Sequence, residues 1–442
     1  MTARPKLNPT AALRPWLLPL CLASVGAWGW ACQDDGPDDS SNGDRDDDDD
    51  GPDDADGPGS VTEPDDASGR DDATAGGSDV SRRDVLWSIG TRVIAPATAE
   101  FATQATALDA AVQLYATRGS EDSRATARDA WREAALDWQQ LEVMQVGPAA
   151  SSLVGIGGED LRDAIYSWPT TDSCSIDRVV AGEDYLADDF FVTELVWSYG
   201  LDALEYLLFN ESTAHTCPAQ VQLDGPWAAL GTDELARRRA AYAGVVAGGI
   251  AARAGELAER WASDGGNFGA LLADQGAIDS PYANEAEAMD EVFRAIFYIA
   301  KITKDAKLGI PIGIVAGCSA PPCIGLMETP FSGDAATAMR ANLEGLALMV
   351  KGGPDAATAD GFDDLLRQMG EDQIADDLLA AIDVAIAATE AYDTPLQAEL
   401  AADPEALDDL YAAIKGVTDI LKGPFVMALM LTVPADGGGD LD

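Results

Sequence analysis

From Asp84 to the C-terminus, apolar residues recur at intervals of three and four, and no sustained run alternates apolar with polar. A chain with that period cannot present one apolar face to a sheet, so it must fold as helices that bury their stripes against one another. The spacing predicts long helices near 84–117, 122–145, 188–209, 232–264, 284–308, 334–350, 372–392 and 405–431. Stretches rich in Gly and Pro separate them, among them "VGPAASSLVGIGG", "LDGPW", "GIPIGIVAGCSAPP" and "KGGPDAAT". The expected fold is all-α: two packed antiparallel helical bundles, one over 81–222 and one over 223–442, an arrangement that a duplication would produce.

What precedes the helices is of another kind. Arg4, Lys6 and Arg14 lead into an apolar run from Trp16 to Trp30, the layout of a secretory signal over residues 1–31. The run ends in "GWAC", which resembles a bacterial lipoprotein cleavage box, with Gly29 where such boxes usually carry Leu. Cys32 is therefore expected to be lipidated, and its acyl chains would anchor the protein. Ordinary secretion with a free Cys32 is the alternative. Between Gln33 and Val80 stand 19 Asp or Glu against Arg45 and Arg70, so residues 32–80 read as a disordered acidic linker. Gln33 lacks the Asp that commonly retains lipoproteins at the inner membrane. The expected location is the cell envelope, at the outer membrane and facing periplasm or surface.

Beyond the linker the chain carries 58 acidic and 23 basic residues. Such a field repels nucleic acid and anionic head groups, which leaves a lipid anchor as the expected membrane contact and metal cations as the expected partners. The sequence identifies no protein partner. Four cysteines remain after Cys32: "CSAPPC" makes Cys318–Cys323 a natural local loop and leaves Cys174 to pair with Cys217.

The chain holds one histidine, His215, in "STAHTC". Paired-His zinc chemistry is thereby excluded, and any Ser-His-Asp or Cys-His site would need that one residue. Beside Pro218 and a disulfide cysteine, it reads as a surface loop residue. Carboxylates are left to carry the chemistry. Glu142 falls in line with Trp131, Ala135 and Trp138, on the face expected to be buried, where it needs a cation, hydrogen bonds or a raised pKa. An Arg from a neighbouring helix would meet that need structurally. In "YGLDALEYLLF" Asp202 and Glu205 share a stripe with Glu194 and Ser198. Periodicity leaves open whether this is a solvent edge or the interior.

Five blocks in order, "AWREAALDWQQLEVMQVGP", "YSWP", "GLDALEYLLF", "ITKDAKLGIPIG" and "ETPFSGDAATAMRANLEGL", resemble the imelysin family from about Asp84 to Asp442. The resemblance implies a pocket between two helical bundles, with a G-x-H-x-x-E motif on one helix and a Glu from an earlier one. Gly200 and Glu205 match the motif, Glu142 stands where the earlier Glu is expected, and Asp202 replaces the His. A cluster of Glu142, Asp202 and Glu205 would be all-oxygen, favouring ferric iron, manganese, calcium or magnesium over zinc. Glu328, Ser332 and Arg340 lie in the block that the family places near the pocket, where they would line or support it. A loop ion pair and a helix N-cap by Ser332 or Asp334 would explain them equally. The resemblance points first to a non-enzymatic protein that captures a metal ion, iron above all. A metal-dependent peptidase and an interaction module with a decayed site are the alternatives.

Overall fold

A computed structural model describes residues 79–434 apart from Ala356 and Asp393. Cys32 and nearly all of the acidic linker lie outside the described residues. Every regular element among them is helical. The chain opens with α1 (Arg82–Ser88), a π-helical stretch (Ile89–Ile94) and α2 (Ala95–Arg118), followed by α3 (Glu121–Leu141), α4 (Leu161–Ile165), α5 (Ser173–Gly182), α6 (Leu201–Phe209) and α7 (Asp224–Trp261). Then come α8 (Phe268–Ala273), α9 (Glu285–Ile296), a second π-helix (Ile299–Gly309), α10 (Ala335–Lys351), α11 (Phe362–Gln368), α12 (Asp372–Thr389), α13 (Leu396–Ala402) and α14 (Asp408–Ile420). No described helix is long and apolar enough to cross a membrane.

The first bundle is built on α2, which packs along α3 and α7, with α6 held between α3 and α7. Helix α7 follows residue 223, so this bundle draws on chain from both sides of that point. The second bundle packs α10 on α12, α12 on α14, and α14 on the second π-helix, and α10 also lies against α3 of the first bundle. At that crossing Gly345 is needed: a Cβ there would stand 2.5 Å from the Gln140 carbonyl oxygen. The described residues from 79 onward belong to a single compact unit.

Local chemistry explains some of the boundaries. Ser120 caps α3 by accepting from the Ser123 amide, and Glu121 and Asp122 complement the helix dipole in the first turn. Trp131 and Trp138 are fully buried, with Phe101 of α2 at 5.0 Å from the Trp138 ring. In α7, Gly231 (φ 71°, ψ 166°) interrupts the helix, so its long part begins where the apolar spacing predicts. Both expected disulfides form, Cys174–Cys217 and Cys318–Cys323.

One expected helix is absent. Residues 188–209 are not continuous: a short turn of helix over Phe190–Thr193 and a 3-10 turn over Val196–Ser198 precede α6. Extended backbone at Glu194 and Tyr199 breaks the run, and Gly200 takes φ 102°, ψ −178° before α6 starts. Asp202 therefore lies in the first turn of a nine-residue helix, and the four-residue stripe through Glu194 and Ser198 does not exist.

Candidate functional site

Helix α6 is buried along its whole length, which its nearly all-round apolar character demands. Its C-terminal carbonyls would be orphans there, and Arg124 and Arg128 each donate Nε to the Leu208 oxygen at 2.9 Å. At its other end, Asp202 and Glu205 sit three apart and project to one side. Both line a cavity of about 420 Å³ between the first bundle, the second π-helix and the loop that follows it. Trp131, Tyr166, Trp168, Tyr206 and Phe331 form aromatic parts of its wall.

The two acids are held by hydrogen bonds and, among the described residues, have no basic side chain beside them. Asp202 Oδ2 accepts from Ser167 Oγ at 2.8 Å and from the Thr171 hydroxyl, while Oδ1 has no hydrogen-bond partner. Burial pushes its pKa up to about 6. Glu205 Oε1 accepts from the amides of Phe331 at 2.9 Å and Ser332 at 2.7 Å. Burial nevertheless raises Glu205 to about 8, those two amides opposing the rise and the Asp202 charge adding to it.

Glu142 is placed otherwise. It is fully buried at the end of α3, as its stripe predicts, but its Oε2 accepts from Arg162 Nη2 at 3.1 Å and it does not line the cavity. Arg162 also donates to the Trp168 carbonyl at 2.8 Å. The need for a cation is met inside the protein. Among the described residues no group of three or more His, Cys, Asp or Glu side chains is placed to hold a metal ion. Of the three expected carboxylates, Asp202 and Glu205 line the cavity together and Glu142 does not.

The "ETPFSG" block divides in the same way. Glu328 is fully buried beneath the cavity wall, where it accepts from the Tyr166 hydroxyl and from Gln139 Nε2 at 3.0 Å. Its Oε2 lies 2.9 Å from Lys307 Nζ, which donates to Gln139 Oε1 at 2.6 Å and Asn342 Oδ1 at 2.8 Å. Burial pulls the Lys307 pKa down and the Glu328 charge resists it. Ser332 contributes its amide to Glu205, and its hydroxyl is unpartnered. It does not cap α10; Asp334 occupies that position without a capping bond and pairs with Arg132 at 3.2 Å. Arg340 reaches Glu344 and Glu390 and does not line the cavity. His215 stands apart as well, with Nε2 2.8 Å from Asp224 Oδ1.

Seven carboxylates are buried among the described residues. Five have an Arg or Lys within 4.0 Å: Glu142, Asp177, Glu291, Glu328 and Asp363. The remaining two are Asp202 and Glu205. Sequence reasoning missed Lys307, Gln139 and Asn342, whose roles depend on contacts across 35 to 203 residues of chain. Only "ITKDAK", polar residues within a helical run, hinted at them.

The family model described as imelysin, peptidase M75, matches residues 94–422. The chain belongs to the imelysin family. Imelysin architecture also appears in solved structures. A chain named as an iron-regulated protein A precursor from Parabacteroides distasonis superposes with a TM-score of 0.62 at 19% identity, covering 81% of this chain and 97% of that one. An imelysin-like protein from Psychrobacter arcticum gives 0.60 at 18% identity, covering 80% and 98%. At such identities the likeness is one of fold. No curated protein matches the sequence.

Proposed function

We propose that this imelysin-family chain is a non-enzymatic, lipid-anchored protein of the cell envelope that captures a metal cation for uptake or storage, with iron as its cargo. One observation carries this: the two buried carboxylates without an internal cation both line the same cavity. Two such groups are costly to bury ionised, and a cation from outside offsets that cost. The donors are oxygen throughout, two carboxylates with the Thr171 hydroxyl beside them, which suits hard ions such as ferric iron, manganese, calcium or magnesium. Among the described residues Asp202 Oδ1 and Glu142 Oε1 both lack a hydrogen-bond partner, but Glu142 already has Arg162 beside it, whereas Asp202 has no basic side chain. The name of the Parabacteroides neighbour, iron-regulated, agrees with iron as cargo. The lipoprotein-like leader agrees with an envelope location.

Elemental analysis tests this directly. The purified protein is exposed to equimolar iron, manganese, zinc and calcium, dialysed, and compared with an Asp202→Asn/Glu205→Gln variant. One near-stoichiometric metal in the wild type and none in the variant is the expected result. No retained metal in either protein overturns the proposal.

A further inference from the structure

The cavity is far larger than an ion and its wall is not that of a bare ion site. At about 420 Å³ it lies in the range of pockets that hold small organic ligands. Five aromatic side chains share its lining with the two carboxylates, and Phe331, 37% exposed, packs edge-on against Tyr206 with ring centroids 5.0 Å apart. Aromatic faces attract organic cations through their quadrupoles, and a buried carboxylate supplies the opposite charge. Asp202 adds a directional requirement. It is 6% exposed, its Oδ2 is already taken by Ser167 and Thr171, and its Oδ1 is without a hydrogen-bond donor. Among organic ammonium ions, only one with an N–H can donate to it, so a quaternary ammonium does not qualify.

We infer that the cavity binds a small organic ammonium ion with N–H donors, an alkyl mono- or diamine, its nitrogen on Asp202 and Glu205 and its carbon chain against the aromatic wall. The two carboxylates one turn apart can share one ammonium or take one from each end of a short diamine. Replacement of the family's motif His by Asp202 fits this occupant, because an imidazole would offer a ligand for zinc, copper or iron where this chain offers a second carboxylate acceptor. The inference rests on Asp202 and Glu205 being a cation site, though not on the cation being a metal.

Calorimetric titration of the full chain tests it, with 1,4-diaminobutane, butylamine, tetramethylammonium and manganese chloride run separately. Binding of the amines, with tetramethylammonium at least tenfold weaker (about 1.4 kcal/mol), is expected. Asp202→Asn should abolish amine binding. Phe331→Leu, exposed and therefore tolerated by the fold, should weaken it about two- to tenfold, the worth of one cation–π contact. Manganese binding without amine binding overturns this inference and leaves the metal proposal standing. Amine binding without metal retention supports this inference and sinks the other, and binding of neither overturns both. Equal affinity for tetramethylammonium overturns the N–H requirement and, with it, the role given to Asp202.

Discussion

Burial sets the behaviour of individual carboxyls here, and its sign can be followed through pH. Glu205 ionises near 4.5 when free and at about 8 in the fold, so between those values the folded state holds the extra proton. Stability on its account is full below about pH 4.5 and is lost as pH rises through about 8. Glu205→Gln, which keeps the shape without the charge, should therefore raise the Tm at pH 8.5 and leave it unchanged at pH 4.5; melting curves at the two pH values check it. Cation affinity should run the opposite way, rising from pH 5 to pH 8.5 as Asp202, at about 6, and Glu205 give up their protons. Titration in two buffers of different ionisation enthalpy would count the protons released. Lys307 shows the opposite arrangement, a buried cation whose removal strands Glu328. Lys307→Met should cost about 3–5 kcal/mol in denaturant unfolding, and adding Glu328→Gln should restore much of it.

At the scale of elements, α6 is positioned by what precedes it. Gly200 holds φ 102°, and a Cβ there would meet the Ile165 carbonyl and Asp202 Oδ1, both at 2.9 Å. The motif's glycine is thus required by backbone conformation and by space. Gly200→Ala should destabilise by about 1–3 kcal/mol and shift Asp202, so that Tm and cation affinity fall together. The long helices were legible in the sequence because three-four periodicity over many turns admits one solution. The broken stretch 188–209 was not, since Trp197, Leu201, Leu204 and Leu208 satisfy a helical period even where Glu194 and Tyr199 are extended. Candidate site residues were legible as acids in apolar company. Their partners were not, because periodicity places Glu142 inside without saying that Arg162 waits there, and says nothing of Lys307 beneath Tyr166.

For the molecule as a whole, the two bundles meet where α3 crosses α10 and where the loop after the second π-helix closes over α6. Cys174–Cys217 spans 43 residues and ties α5 to the segment between α6 and α7. Its double replacement by Ala should lower stability by about 2–4 kcal/mol, read as a shift in denaturant midpoint. The hydrogen bonds from the Phe331 and Ser332 amides to Glu205 give the site a reporter on its own surface. An arriving cation draws charge from the carboxylate that these amides use as acceptor, so the bonds loosen as the cavity fills. Deuterium uptake at these two neighbouring amides would then quicken on loading, while the helices around them slow. The loop would register occupancy as a change in its own rate of opening.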